Sequence, residues 1–255
     1  APDSDTDTTK LIIGRPDGTT SVVQLGDFDF SPDIQIGTDN NAYWQDDDQL
    51  TVITSAGVKQ VPSLGGAVQA LAFGADGKAY ITVDSGAGVK VLSSTNGFAS
   101  FSTSSIVPGH ADFFGVTLLQ AGPNGIAYVH TDDPDRILTA ISASGATVGT
   151  LTGGGKVIGP VVFGADGTGY VTVQIGDEFS DGPFKTAVWA FRASGATKIA
   201  EVDGQAATTG TNADSILPAV EVGPDGKVYL TTVIINPSTQ QGTTYVHMLS
   251  PTSVL

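Results

Sequence analysis

Few side chains in this sequence could do chemistry, and most of those are carboxylates. The loop GDEFSDG (176–182) brings Asp177, Glu178 and Asp181 together, an oxygen-rich set of the kind that calcium or magnesium takes. The plainer reading is an exposed acidic loop. DSDTD (3–7) alternates aspartates as a calcium loop does, but lacks the glycine and the distal glutamate, and reads as polar linker. The run DDD (46–48) reads as a hairpin turn. HTDDPD (130–135) sets His130 beside three acids at a strand end, and HAD (110–112) is a similar case in a loop. His247 is the third histidine, and no two of the three have the paired spacing of a zinc site. There is no G-x-S-x-G nucleophile elbow, and GGGK (153–156) lacks the flanking residues of a phosphate-binding loop. The expectation is therefore no catalytic residue and no organic cofactor. The single metal candidate is the trio Asp177, Glu178 and Asp181.

The acid excess is mostly turn chemistry. The chain has 26 acidic and 11 basic residues, a net charge of −15, and only Glu178, Glu201 and Glu221 among the acids are glutamate. Aspartate favours turns where glutamate favours helices. Such a balance speaks against nucleic acid, whose phosphates need clustered Lys and Arg, and against an anionic membrane surface. No apolar run is long enough to span a membrane as a helix. With no cysteine, disulfides and thiolate metal sites are excluded. Residues 1–9 read as a polar tail or linker and 10–255 as the folded domain. The richness in Ser, Thr, Gly and Ala, with scarce Lys, points to an extracellular or cell-surface protein.

What must position these residues is a repeat. FGADGKAY (73–80) returns as AGPNGIAY (121–128), FGADGTGY (163–170) and VGPDGKVY (222–229), and more loosely around Gly37 and Tyr43. Five of the six tyrosines thus stand six residues after a glycine. Asp39, Asp76, Asn124, Asp166 and Asp225 stand two residues after it, followed by Gly or, once, Asn40. Apolar, β-branched segments flank each phrase, so each unit predicts a β-hairpin: aspartate supports the turn and the next residue takes positive φ. A second hairpin follows each of the first four, centred on Gly57, Gly97, Gly145 and Gly195, and YVHMLSPTSVL (245–255) reads as the start of a fifth. Four strands at tyrosine spacings of 37, 48, 42 and 59 residues predict an all-β propeller of five four-stranded blades. No helix is expected. The stretch KLIIGRPDGTTSVVQL (10–25) predicts an extra hairpin that closes the ring by pairing with the last blade, with six blades as the alternative. The recurring tyrosines, and Trp44 and Trp189, are expected to pack within or between blades.

The segment GPNGIAYVHTDDPDRILTAIS (122–142) resembles the NHL-type propeller repeat, with a Gly turn, an apolar–Tyr–Val strand, an acidic turn and Arg–Ile opening the third strand. GADGKAYITVDSGAGVKVLS (74–93) is similar to it. The resemblance extends to gluconolactonase-like and streptogramin-lyase-like propellers, and to the extracellular sensor propellers of some bacterial membrane kinases. It implies the fold. Gluconolactonase-like enzymes hold a divalent metal in the central channel with Glu, Asn and Asp side chains, and the repeat pattern carries none of those positions onto this chain.

Two functions are open at this point. One is a non-catalytic interaction module that presents ring-face loops to a protein or glycan partner, as a monomer or as part of a longer multidomain chain. The other is a propeller hydrolase or lyase with a divalent cation in the channel. Along the expected inner strands Glu221 is the only acid, and Gln35 and Gln120 are the clear amides, which favours the module.

Overall fold

The computed structural model describes residues 8–14, 19–27, 34–46, 49–54, 57–61, 64–107, 116–131, 137–151, 155–176, 184–207, 219–236, 238–239 and 241–250. Among these every regular element is a strand. The chain opens with a hairpin, β1 (Thr8–Gly14) and β2 (Thr20–Asp27). Five antiparallel sheets follow in chain order. Blade one is β3 (Ile34–Ile36), β4 (Ala42–Asp46), β5 (Gln49–Thr54) and β6 (Gly57–Gln60). Blade two is β7 (Ala67–Phe73), β8 (Ala79–Asp84), β9 (Val89–Ser94) and a two-residue β10 (Ser102–Thr103). Blade three is β11 (Val116–Ala121), β12 (Ile126–Thr131), β13 (Ile137–Ser142) and β14 (Thr147–Leu151). Blade four is β15 (Lys156–Phe163), β16 (Gly169–Ile175), β17 (Lys185–Arg192) and β18 (Gly195–Asp203). Blade five holds β19 (Gln205–Ala206), β20 (Val220–Val222), β21 (Val228–Ile235) and β22 (Gly242–Leu249). Within it β19 and β20 share one edge of β21, and β22 takes the other.

All five repeat phrases make the same turn. The amide of Gly37, Gly74, Gly122, Gly164 or Gly223 donates to the carbonyl four residues on, at 2.8–2.9 Å. The left-handed residue in between is Asn40, Gly77, Gly125, Gly167 or Gly226, with φ from 60° to 78°. This is a three-residue hairpin loop: a type I turn closed by one residue in the left-handed region. The Asp or Asn holds it, because Oδ1 accepts the amide two residues on at 3.0–3.3 Å in every blade. The first glycine answers a different need. A Cβ on Gly74 would lie 2.3 Å from Asp76 Oδ1 and 3.0 Å from the Tyr80 ring, and the other four positions are crowded by the same two groups. The tyrosine ring lies over this glycine.

Packing then joins blade to blade. Tyr43, Leu50 and Val52 of blade one share a core with Val68, Ile81 and Leu92 of blade two. Tyr80 and Val91 meet Leu119, Ala127 and Val129 of blade three. Tyr128 and Leu138 meet Val161, Val171 and Phe191 of blade four. Tyr170 and Val188 meet Val220, Val228 and Leu230 of blade five. The expected role of the tyrosines is thus what the structure holds, with Tyr43, Tyr80, Tyr128 and Tyr170 essentially fully buried. Trp44 is buried, and Trp189 packs against the core between blades three and four.

One expectation is corrected. The hairpin predicted over 10–25 forms, but among the described strands β1 and β2 pair with each other and add none to blade five. Seven registered pairs hold the two strands together through their facing edges, and among the described strands their outer edges pair with none.

The crowding at the first turn glycine makes a direct prediction. Gly74→Ala should destabilise the fold by about 1–3 kcal/mol in urea unfolding, the usual cost of overpacking a tight site. Gly14→Ala, where a Cβ would meet nothing within 4 Å, should lie within about 0.5 kcal/mol of the parent chain.

Candidate functional site

The turns carry the chain's recurring carboxylates, so they are the first place to look for a site. The second carboxylate oxygen of each is already engaged. Asp39 Oδ2 accepts the Tyr43 hydroxyl at 2.5 Å, and Asp76 Oδ2 accepts that of Tyr80 at 2.9 Å. Asp166 Oδ2 accepts the Thr168 hydroxyl at 2.8 Å, and Asp225 pairs with Lys227 at 3.0 Å. Asn124 replaces the carboxylate in blade three and donates Nδ2 forward to the carbonyl of Gly167, at 2.8 Å.

Neighbouring turns are also bonded to one another. Thr38 Oγ1 donates to Gly74 O at 3.2 Å, the proton that Tyr80 Oη gives to Asp76 is shared with Gly125 O at 3.3 Å, and Asn124 donates to Gly167 O. A polar chain therefore runs along the turns of blades one to four. The left-handed glycines permit its close approaches: a Cβ on Gly125 would meet Asp76, and one on Gly167 would meet Asn124.

Two glutamines extend the same logic to the strands. Gln45 Nε2 donates to Val68 O at 2.9 Å. The Gln120 amide binds Val161 twice, accepting its N–H at 2.6 Å and donating to its carbonyl at 3.3 Å. Both contacts fall where the next blade's first strand bulges, between Val68 and Ala70 and between Ile158 and Val162. A bulge frees backbone groups from the ladder, and the glutamines satisfy them. Gln120 was a candidate channel amide from sequence, and it serves as a clamp between blades three and four.

Electrostatics follow from these partners. Burial raises the Tyr43 and Tyr80 hydroxyls well above their ordinary value, and the bonded, charged Asp39 and Asp76 raise them further. Tyr170 is raised by burial, and then by the nearby Asp166 charge. Asp166 is lowered by the Thr168 amide first and the Thr168 hydroxyl second. Glu201 is lowered by hydrogen bonds from Lys198 and then Lys185, at 2.7 and 3.2 Å. Asp166 and Glu201 are thus held ionised, and neither is set up as a proton donor near neutrality.

The remaining sequence candidates do not converge. Glu221 lies exposed on β20, opposite Tyr229 on β21. Gln35 is partly buried on β3, opposite Tyr43. His130 lies on β12, opposite Leu118 and Leu138. His247 Nε2 is 2.9 Å from the Thr232 hydroxyl on the neighbouring strand. Among the described residues no three His, Asp or Glu side chains are placed to hold a metal ion. Asp177, Glu178 and Asp181 lie outside the described residues, as do His110, the aspartates of 3–7 and those of 132–135.

These features define a β-propeller, the fold that the NHL-like and gluconolactonase-like resemblance implies. The chain is similar to the tricorn protease at TM-score 0.52 and 12% identity, over 92% of this chain and 24% of that one. Puromycin hydrolase matches at TM-score 0.49 and 12% identity, over 83% of this chain and 35% of that one. The Dos1 propeller matches at TM-score 0.49 and 12% identity, over 87% of this chain and 55% of that one. The chain thus spans from about a quarter to just over half the length of these three structures. No protein-family model and no curated protein matches it.

Two measurements separate clamps from chemistry. Gln120→Leu strands the Val161 N–H and should cost about 1–3 kcal/mol of stability, whereas exposed Glu221→Gln should cost less than about 0.5 kcal/mol. The raised tyrosines favour the protonated folded state. Their contribution to stability is full below the ordinary value of 10.0 and is lost as pH climbs through their raised folded values. Phenolate absorbance of these tyrosines should therefore stay low through pH 10 and rise only later in the alkaline titration, together with loss of near-ultraviolet circular dichroism.

Proposed function

We propose that this chain is a non-catalytic interaction module of the extracellular space or cell surface, and that it presents ring-face loops to a protein or glycan partner. The observation that carries this reading is the engagement of its recurring polar groups. Asp39, Asp76, Asn124 and Gln120 each bond a turn, a tyrosine or the next blade's backbone, leaving their oxygens committed to scaffold. A catalytic constellation needs unlike groups from several blades aimed at one point, with a base whose pKa is set near neutrality. Among the described residues the carboxylates Asp166, Glu201 and Asp225 are displaced downward. The acidic surface suits a soluble, displayed domain and disfavours nucleic acid.

The rival reading is a hydrolase or lyase using a channel-bound divalent cation. Calorimetric titration with calcium and with magnesium, alongside lactone hydrolysis assays at the same metal concentrations, tests both. A flat titration and no turnover above the metal-only rate are expected. Saturable metal binding coupled to lactone turnover, abolished by Glu221→Gln, would overturn the module.

A further inference from the structure

Every interface between blades is made from the same two halves. The tyrosine after one turn projects into the next blade, and the residue just before that blade's turn glycine receives it. Tyr43 meets Phe73 with ring centroids 5.0 Å apart, and Tyr128 meets Phe163 at 5.5 Å. Ala121 and Val222 pack into the cores that hold Tyr80 and Tyr170. This series leaves one tyrosine and one receiving position over. Tyr229 belongs to none of the four cores and is only partly buried. Ile36, at the position of Phe73 and Phe163, is 71% exposed.

The same two ends carry the exposed apolar surface. The third strand of blades one to four is largely buried, whereas β22 is exposed on both faces through Tyr245 and Val246. On the β1–β2 hairpin, Ile12 and Val22 are 67% and 62% exposed. Among the described residues eleven large apolar side chains are exposed; nine lie on this hairpin, blade one or blade five, and none on blades three and four. Large apolar side chains left exposed at the ends of a repeat array mark surfaces that are covered in use.

We propose that the opening between blade five and blade one is a docking surface for one further β-hairpin of the same repeat, supplied from outside these residues. Its signature is apolar–Gly–x–Asp–Gly–x–x–Tyr. Its tyrosine seats on Ile36, and its pre-glycine residue receives Tyr229. Its second strand pairs with the edge of β1 that no described strand occupies, so that β1 and β2 become the outer half of a sixth blade. The chain's own five hairpins of this type are already built into its five sheets, so a second copy has none to lend. Self-closure would bring Tyr229 onto Ile36 and bury both. This inference is independent of whether the ring binds a partner or turns over a substrate.

The probe is a peptide of residues 67–84, the chain's own hairpin with Phe73 and Tyr80, added to the full chain and followed by fluorescence anisotropy. Saturable binding is expected with Kd below about 100 μM, weakened about tenfold or more by Ile36→Asp in the chain or Tyr80→Ala in the peptide. Phe101→Asp, at an exposed apolar site on blade two, should leave binding unchanged. No binding, or binding indifferent to Ile36→Asp, overturns the proposal. Because the chain has no cysteine, the double variant Ile36→Cys/Tyr229→Cys adds a clean second measurement. Two free thiols are expected after mild oxidation. A disulfide within one chain means that the ring closes on itself, and one between chains means that a second copy fills the opening; either result overturns the proposal.

Discussion

A tyrosine ring packed over a glycine is the contact on which the rest of this structure depends. The ring must cross from one blade to the next, and it can do so only because the residue beneath it has no Cβ. The same glycine opens the hairpin loop, so local turn geometry and long-range packing are set at one residue. Tyr43 and Tyr128 are each met by two phenylalanines of the following blade, one tilted and one edge-on. Aromatic pairs of this kind contribute about 0.5–1.5 kcal/mol beyond their buried area. The repeating structural unit is therefore the interface as much as the blade, and stability resembles that of a one-dimensional array with nearest-neighbour coupling.

Drift in the repeat has consequences that can be followed atom by atom. Asparagine at 124 gives up the acceptor that aspartate offers its tyrosine in blades one and two, and gains a donor that reaches Gly167. The Tyr128 hydroxyl is buried beside Asn124 and lacks the carboxylate acceptor that Tyr43 and Tyr80 have. Phe163 and Phe191 pack on the same ring. Polar groups of the described turns are thus traded between turn and interface.

Legibility from sequence divides along the same line. Hairpins and left-handed residues are local, and the phrase repeated often enough to expose both the turn chemistry and the tyrosine's duty. The first glycine could be aligned but not explained, because its reason is a ring folded back from six residues on. Gln45 and Gln120 were opaque, since a strand glutamine reveals nothing about a bulge in a neighbouring sheet. Gln120 consequently looked like a channel amide. The N-terminal hairpin was legible as a hairpin and misplaced as a closing strand, because its partner depends on ring geometry that no local pattern encodes. The acidic loop of Asp177, Glu178 and Asp181 falls outside the described residues, and only its composition speaks for it.

An array with four made interfaces among five blades has a built-in asymmetry. Blades two to four are each held on both sides, while blades one and five are each held on one. The terminal blades must therefore open most readily, since local stability follows the number of buried contacts. Whatever covers Ile36 and Tyr229 adds its binding free energy to both ends at once and to nothing between them. A ring left open in this way couples occupancy of one surface to the order of the two blades beside it. With the proposed hairpin docked, recognition and folding become a single equilibrium at the interface that the described residues do not complete.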